Sequence, residues 1–425
     1  MKRGGSRKHG DLIASVDIGG AKVACAIASL VKVPGGGFEP DIVGIGQYGL
    51  ARDTGGRERE EAMRASIHAA ERMAGADITS AALVAPGRAI ASKRVAIDLP
   101  LAGGLVTVED VDECLNEAAS MVERGRRLIA ARPIRYSLDG QIEQTAPIGQ
   151  AGDRFTLEAL VLDARETAIV NMEAALMRAG VAVDAVIPRP KAAAAAVLVE
   201  DEMDLGALAV DFGSKSTDFA VFERGALVAC GGVAIGADSI TRDIAQIFGA
   251  SLAECERVKT LQGCAFASPD DQHRLIDFPQ LGDPSEVTRH SRAELAGVIA
   301  PRLEEILELT MRAAERAGAK TDDMRRVVVT GGGALLLGLV ETIERVVGAR
   351  ARLGRPSDFL AAPEAAAAPQ FAAALGGLKI LAAGDAAPRL GWPSFRYVSS
   401  AQPRRAVGGA RGVLSGVGYW LRENF

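Results

Sequence analysis

The chain has 425 residues, of which 48% are hydrophobic and 24% charged, and its formal net charge at pH 7 is −5. This length exceeds what one hydrophobic core supports, so two or more domains are expected. The negative charge argues against general nucleic-acid binding, and the lack of any run of 18 apolar residues argues against a membrane-spanning helix. Five cysteines without CxxC spacing and four scattered histidines predict reduced core residues of a cytosolic protein and no metal cluster.

The N-terminal region begins with a basic segment that lacks the apolar core of a signal peptide, so we interpret residues 1–10 as a disordered tail. An apolar run at 13–16 then leads into a glycine-containing turn, and residues 23–27 are apolar again. This pattern predicts a strand, a tight turn and a second strand. Glycine lets turn N–H groups approach phosphate oxygens, and Asp17 would act on them through Mg²⁺ and water. A single turn of this kind is more often an ordinary hairpin.

The next stretch predicts alternating strands and helices. A strand at 42–50, an amphipathic helix at 57–73 and a strand at 81–84 are followed by a separate small α/β unit at 88–163. That unit contains a helix at 108–125, a hairpin signal at 137–140 and a strand at 155–162. A helix at 167–180, a strand at 181–187 and an alanine-rich helix at 190–200 complete the first half. The small side chains of the last helix suit close packing at a domain junction, although an ordinary packed helix has the same composition.

The second half repeats the strand–turn–strand pattern at 208–222, with Asp211, Gly213, Ser214, Lys215, Ser216 and Asp218 in or beside the turn. Two such turns predict two related halves, each of which offers a loop to a shared site. Helices are predicted at 237–248, 251–261, 291–318 and 371–383, and residues 265–284 read as irregular and hairpin-like. A strand at 326–330 precedes Gly331, Gly332 and Gly333, which are predicted to open a helix at 334–347. Glycines between a strand and a helix N-terminus allow a nucleotide to approach a positive helix end.

The C-terminal region changes composition after residue 384. Prolines, glycines and arginines at 385–410 predict a basic flexible linker. Apolar residues then recur at helical spacing, with Arg411 and Arg422 near the other face, which suits a helix lying in a membrane interface. The predicted membrane-binding residues are Val413, Leu414, Val417, Trp420, Leu421 and Phe425. The alternative is a tail that packs on its own body or on a partner protein.

The order of the motifs resembles a known group. A phosphate loop, an insert, a second phosphate loop and an adenosine loop are arranged as in the superfamily of actin, sugar kinases and heat-shock chaperones. Within that superfamily the chain resembles the FtsA family of bacterial cell-division proteins, with further similarity at 263–265, 298–302 and the terminal segment 419–425. The resemblance implies an α/β, actin-like two-domain fold with duplicated mixed-sheet halves, an inserted α/β subdomain and a C-terminal amphipathic helix.

The resemblance also implies domain boundaries. Domain 1 is expected to comprise 11–87, 164–203 and 366–384, and domain 2 to comprise 204–365. The subdomain typical of the family is expected at 88–163, followed by the linker at 385–410 and the membrane-targeting helix at 411–425. In the family this subdomain serves self-assembly and contacts with later division proteins.

ATP and Mg²⁺ are the cofactors that the resemblance implies. The Glu256–Lys259 pair, three residues apart on one helix face, would reach the ribose and adenine, whereas the residues alone favour a solvated salt bridge. Ser214 and Lys215 stand where the family usually has glycine, so Lys215 would either pair with the γ-phosphate or obstruct the backbone. Ala21 stands where a hydroxyl residue is common. We therefore expect ATP binding with weak or no ATPase activity and no catalytic residue. The expected cofactor-binding residues are Asp17, Gly19, Gly20, Ala21, Lys22, Asp211, Gly213, Ser214, Lys215, Ser216, Asp218, Glu256, Lys259, Gly331, Gly332 and Gly333.

The implied function is structural. The family anchors FtsZ filaments to the cytoplasmic face of the inner membrane at the division septum, as a peripheral membrane protein, and helps assemble the divisome. Its expected partners are FtsZ, with contacts at Arg302 and Glu305, further copies of itself in a homopolymer, later divisome proteins and the lipid surface, but no nucleic acid. A PilM-type adaptor of type IV pilus assembly remains an alternative, as does a small-molecule kinase of the same superfamily.

Overall fold

The computed structural model describes residues 12–384, apart from residues 35, 36, 53, 144, 284, 322, 323 and 361. The predicted N-terminal tail, C-terminal linker and terminal helix therefore lie outside the described residues. The strands are β1 Leu12–Ile18, β2 Lys22–Lys32, β3 Phe38–Gly49, β4 Ser80–Ala85, β5 Ile90–Pro100, β6 Arg126–Leu138, β7 Gln141–Glu143, β8 Arg154–Arg165, β9 Ala182–Pro188, β10 Ala207–Phe212, β11 Thr217–Glu223, β12 Ala226–Val233, β13 Leu275–Pro279, β14 Val287–Ser291, β15 Arg326–Thr330 and β16 Arg350–Leu353. The α-helices are α1 Gly56–Ala74, α2 Val108–Ser120, α3 Glu166–Arg178, α4 Arg189–Val197, α5 Glu200–Leu205, α6 Ala237–Phe248, α7 Leu252–Gln262, α8 Arg292–Arg316, α9 Leu339–Val347 and α10 Ala372–Ala383.

Two five-stranded sheets share one topology. The first has the order β3-β2-β1-β4-β9 and the second the order β12-β11-β10-β15-β16. In each, the central hairpin is antiparallel and the next two strand pairs are parallel. Parallel central strands are buried on both faces, which explains the continuous apolar runs in the sequence. The repeated order and direction confirm the predicted duplicated mixed-sheet halves.

A third, antiparallel sheet lies between β4 and α3 in the sequence. Its order is β5-β8-β6-β7, and α2 packs on it around a separate apolar cluster that includes Phe155 and Leu157. The predicted hairpin is present, because Asp139 and Gly140 adopt φ angles of 50° and 83° at the β6–β7 turn. The helix predicted to reach residue 125 ends earlier, at Ser120.

Helix α4 joins the two halves. All nine of its residues are buried, and it packs against α10. The contact is close enough that a Cβ on Gly376 would lie 1.7 Å from the carbonyl oxygen of Ala192. The helix predicted at 190–200 ends at Val197, because Leu198 and Val199 are extended and Val199 caps the short helix α5.

Other predictions were incomplete. Strand β12 was missed because Gly231 and Gly232 are predicted only to lead into the helix at 237–248, whereas the structure needs glycine within a strand for room: a Cβ on Gly232 would lie 2.3 Å from a carboxylate oxygen of Asp218. Strand β16 was also missed. The helix predicted at 334–347 is divided into a 3₁₀ turn, Gly332–Leu335, and α9, because Gly338 adopts a φ of 81° between them.

Candidate functional site

A cavity of about 350 Å³ opens between the two halves. It is lined by the β1–β2 turn, the β10–β11 turn, the glycine cluster after β15 and helix α7. The sequence-predicted residues that line it are Asp17, Gly19, Gly20, Ala21, Lys22, Asp211, Gly213, Ser214, Lys215, Ser216, Glu256, Lys259, Gly331, Gly332 and Gly333. Asp218 does not line the cavity, since it is 1% exposed and lies beneath it.

The two turns have the same backbone geometry. The N–H of Gly19 donates to the carbonyl of Lys22 at 2.9 Å, and the N–H of Gly213 donates to that of Ser216 at 3.0 Å. A Cβ on Gly19 would lie 2.7 Å from the carbonyl oxygen of Lys22, and one on Gly213 would lie 2.8 Å from that of Ser216. Both distances are shorter than those at which real Cβ atoms contact other atoms. Glycine is therefore required at both positions, for the same steric reason.

The turns also contact each other through Lys215. A Cβ on Gly20 would lie 2.9 Å from the Lys215 Cβ, so the lysine stem packs across the first turn. Its ammonium donates to the carbonyl of Arg52 at 2.6 Å. In this arrangement the Lys215 charge is directed at the backbone of the other half, and its pairing with a γ-phosphate stays a prediction.

A buried arginine lies among the aspartates of the two turns. Arg189 is 7% exposed, and its Nε and Nη2 donate to Oδ1 of Asp17 and to the carbonyl of Ile18, both at 2.8 Å. Its Nη1 lies 3.6 Å from Oδ2 of Asp218. Burial alone would lower the pKa of Arg189, but the carboxylates of Asp17 and Asp218 outweigh it and raise that pKa, so the guanidinium stays charged.

The remaining carboxylates are also affected by burial. Burial and the charge of Asp218 raise the pKa of Asp211 to about 7. Burial likewise raises the pKa of Asp218, whose Oδ2 accepts from the N–H of Gly87 at 2.8 Å. Oδ1 of Asp218 has no hydrogen-bond partner among the described residues. The buried surroundings therefore do not fully stabilise the negative charges of Asp211 and Asp218.

The sequence prediction did not include Arg189. The available signal was a cation between two prolines, directly after a buried strand of the same sheet as the first turn. Parallel strands of one sheet present their carboxyl ends at one edge, and β1 and β9 both run parallel to β4, which lies between them. This brings Arg189, after β9, near Asp17 in β1.

The predicted action of the aspartates through Mg²⁺ does not fit this arrangement. Oδ1 of Asp17 accepts from Arg189, and the same guanidinium faces Asp218. A divalent ion at these carboxylates would lie beside a fixed, buried cation, and like charges repel strongly where water is excluded. Among the described residues, no group of three or more His, Cys, Asp or Glu side chains is placed to hold a metal ion.

Lys22 lies at the side of the cavity. Its ammonium donates to the carbonyl of Gln370 at 2.6 Å and lies 4.3 Å from the ring centroid of Phe371. Burial lowers the pKa of Lys22 to about 8. Neither Gln370 nor Phe371 was predicted as part of the site, because both come from the segment before α10.

The Glu256–Lys259 pair forms as its spacing predicts, with Nζ and Oε2 2.8 Å apart. Burial lowers the pKa of Lys259, which also donates to Thr241 at 2.8 Å. Burial alone would raise the pKa of Glu256, but the charge of Lys259 and its hydrogen bonds lower it. The pair is a partly buried network at the cavity and not a solvated surface bridge.

Arg52 extends this network across the cleft. Its guanidinium pairs with Asp238 at 2.5 Å and with Glu256 at 2.9 Å, and its carbonyl accepts from Lys215. Arg52 lies after β3 in the first half, whereas its three partners belong to the second half. Together they form a polar bridge between the two halves, two of whose members, Lys215 and Glu256, line the cavity. The sequence did not reveal it because the partners are about 160 to 200 residues apart.

The glycine cluster packs against the second turn. Gly331 adopts a φ of 90°, and a Cβ there would lie 2.2 Å from Oδ1 of Asp211. A Cβ on Gly333 would lie 2.6 Å from the Phe212 ring. These glycines therefore provide backbone room beside the cavity. The predicted positive end of an α-helix is absent, because only a four-residue 3₁₀ turn follows.

The predicted partner-binding residues lie outside the cavity lining. Arg302 on α8 donates to Asp243 on α6, with Nη2 and Oδ1 3.0 Å apart, and it pairs with Glu305 on its own helix. The Arg302 side chain is 30% exposed and that of Glu305 50% exposed. The pair therefore presents an accessible ionic patch on the second half.

Known proteins match the chain over nearly its whole length. The family description "Cell division protein FtsA" matches residues 208–376, and "SHS2 domain inserted in FTSA" matches residues 87–162. The cell division protein FtsA of Agrobacterium fabrum (strain C58 / ATCC 33970) is 30% identical over an alignment of 443 residues, which covers 99% of this chain and 96% of that protein. The chain belongs to the FtsA family. FtsA of Escherichia coli (strain K12) is 29% identical over 380 residues, covering 86% and 89% of the two chains.

Solved structures share the fold of this FtsA-family protein. The PilM-PilN type IV pilus biogenesis complex gives a TM-score of 0.58 at 17% identity, covering 86% of this chain and 97% of that one. MreB5 of Spiroplasma citri bound to ADP gives a TM-score of 0.50 at 14% identity, covering 87% and 95%. These likenesses confirm the predicted actin-like fold class. No helix among the described residues is both long and apolar enough to cross a bilayer.

Proposed function

We propose that this member of the FtsA family binds ATP between its two halves and anchors FtsZ filaments to the cytoplasmic membrane at the division septum. The observation that carries the proposal is the cavity lined by both glycine turns, the glycine cluster and the Glu256–Lys259 pair. Turn N–H groups suit phosphate oxygens, and the polar pair suits a ribose. The structure of MreB5 bound to ADP, which has the same fold, also supports nucleotide binding by this protein.

Hydrolysis is proposed to be slow or absent. A water that attacks a phosphate needs a group to orient it and accept its proton. Asp17 accepts a hydrogen bond from Arg189, Asp218 does not line the cavity, and the Lys215 ammonium donates to a backbone carbonyl. ATP would then control assembly through binding and release more than through turnover.

The partner surfaces follow from the family. Arg302 and Glu305 are proposed to contact FtsZ, because their side chains form an accessible ionic patch on α8. The subdomain at 88–163 is proposed to contact later divisome proteins and further copies of the chain. The domain boundaries at 11–87, 164–203 and 366–384 for the first domain, and at 204–365 for the second, remain part of this proposal.

Membrane attachment is proposed to lie in the segment 411–425, for which the sequence predicts an amphipathic helix. Burial of six apolar side chains at about 1.5–3 kcal/mol each is nearly balanced by the cost of ordering the tail. One tail would therefore bind weakly and reversibly, and a homopolymer that presents many tails would gain avidity without new contacts.

Liposome co-sedimentation with purified FtsZ tests this function. The full chain is compared with a chain truncated after Gly409, and FtsZ is expected in the pellet only with the full chain. If the protein pellets without FtsZ, the membrane anchor stands and an adaptor of the pilus type is favoured. If neither protein pellets, the anchoring function is wrong and a kinase of the same superfamily must be reconsidered.

The FtsZ contact is tested on the same helix. The double variant Arg302→Ala and Glu305→Ala is expected to lose FtsZ from the pellet while it still pellets itself. Arg312→Ala with Glu308→Ala is the matched control, because that pair also lies on α8, is also exposed and is formed within that helix. Equal loss in both variants would exclude a specific contact at Arg302 and Glu305.

A further inference from the structure

Arg189 is held in place from both sides of the cleft. Strand β9 ends at Pro188 and helix α4 begins at Arg189, with Pro190 at the helix start. The guanidinium donates to Asp17 and to the carbonyl of Ile18 in the first half and faces Asp218 of the second half at 3.6 Å. One buried cation therefore connects the bases of both turns.

The charge of Arg189 offsets the carboxylates at the bases of the two turns. Asp17, Asp211 and Asp218 supply three acidic groups, and Arg189 and Lys22 are the basic groups whose charges act on Asp211. A guanidinium cannot lose its proton at any physiological pH, so this compensation is permanent. A divalent ion would have to displace the guanidinium or enter beside it, and both are costly in a buried site.

Arg189 also retains hydrogen-bonding capacity toward the cavity that it lines. A guanidinium has five N–H groups. Two are used by Asp17 and the Ile18 carbonyl, and Nη1 lies beyond hydrogen-bond distance of Asp218. The remaining N–H groups match the oxygen spacing of a phosphate, which arginine binds in bidentate fashion.

We propose that Arg189 takes the place of the divalent cation, so that this protein binds the polyphosphate of its nucleotide without Mg²⁺. The inference rests on the proposed nucleotide site. Arg189 would neutralise phosphate charge from a fixed position, and the aspartates hold the guanidinium in that position. The site is then built for binding a metal-free nucleotide, and the protein would respond to nucleotide concentration independently of free Mg²⁺.

The test is a fluorescence titration of the full chain with a fluorescent ATP analogue, in excess Mg²⁺ and in excess EDTA. The dissociation constants are expected to agree within about threefold, because a fixed guanidinium supplies the charge in both conditions. A larger loss of affinity in EDTA would overturn the proposal and leave the nucleotide site itself intact. Absence of binding in both conditions would overturn the nucleotide site and this inference together.

A variant adds a second readout. In Arg189→Gln the aspartates lose their cation, so nucleotide binding is expected to become at least about tenfold tighter with Mg²⁺ than with EDTA. Arg242→Gln is the control, because this surface arginine pairs with Asp238 of the same helix, α6. Electron paramagnetic resonance of Mn²⁺ in the presence of ATP should show Mn²⁺ bound to the protein in Arg189→Gln. With the native chain it should show only Mn²⁺ that is not bound to the protein. A tightly bound Mn²⁺ in the native chain would contradict the proposal, even if the variant fails to fold.

Discussion

The β1–β2 turn and the β10–β11 turn have the same backbone and different charges. In both, four residues separate the last paired positions, Ile18 with Val23 and Phe212 with Thr217. In the first hairpin Asp17 faces Ala24 across the strands. In the second, Asp211 faces Asp218.

This difference explains why one half depends on the other. Two carboxylates paired across one hairpin repel each other when buried, and the guanidinium that faces Asp218, at 3.6 Å, is that of Arg189. The compensating cation, Arg189, comes from the first half. The two halves therefore have turns with the same steric requirement for glycine. The charges of their buried aspartates, by contrast, are balanced by one arginine that belongs to the first half.

The largest expected change in stability comes from removing the guanidinium of Arg189, which both halves share. Arg189→Ala leaves Asp17 and Asp218 buried without their partner, which should lower the free energy of unfolding by about 3–5 kcal/mol. Urea denaturation measures this, with Arg242→Ala as a surface control that should change stability by less than about 1 kcal/mol. A loss as small as that of the control would mean that the halves are electrostatically independent.

The steric equivalence of the turns is tested by a matched pair. Gly19→Ala and Gly213→Ala each place a Cβ less than 3.0 Å from a carbonyl oxygen, at 2.7 and 2.8 Å. Each should lower the free energy of unfolding by about 1–3 kcal/mol, by similar amounts. Gly297→Ala on α8 is the control, because no atom lies within 4 Å of its Cβ position. Clearly unequal losses at the two turns would break the comparison.

The bridge between the halves is tested with Arg52. Arg52→Ala removes the ion pairs to Asp238 and Glu256 across the cleft. Stopped-flow fluorescence should show nucleotide dissociating about three- to tenfold faster, since partly exposed pairs contribute on the order of 1 kcal/mol. Arg242→Ala is the control because it removes a pair to the same Asp238 without crossing the cleft. An unchanged dissociation rate would show that the bridge does not limit release.

The smallest effect is expected from pH. The pKa of Asp211 is raised to about 7 in the folded protein and is near 3.9 in an unfolded chain, so the folded state binds the extra proton. Stability from this group is therefore present at low pH and is lost as the pH rises through about 7. Asp211→Asn should melt higher than the native chain at pH 8, by about 1–3 °C, and the gap should shrink toward pH 5. A gap that is constant with pH would contradict this assignment.

The local elements of this fold are largely readable from the sequence. The two hairpins, helix α6 and the hairpin at Asp139 and Gly140 depend on apolar runs and turn residues that are adjacent in the chain. The errors arise where distant atoms decide. The glycines of β12, predicted only to lead into the next helix, are required by Asp218 and Gly87. The predicted helix after β15 is divided at Gly338, where a Cβ would lie 2.9 Å from the ring of Phe266.

By itself, the sequence determined the duplicated pattern, the residues of both turns and the family to which the chain belongs. The tertiary structure alone decided the electrostatics of the site. Asp17, Arg189 and Asp218 are far apart in the chain, and no periodicity relates them. Their effect on one another depends on the removal of water around them, which only the packing of the two halves against α4 produces. A charge on a predicted strand or helix has its usual pKa until the fold buries it, and so the role of Arg189 could not be read in advance.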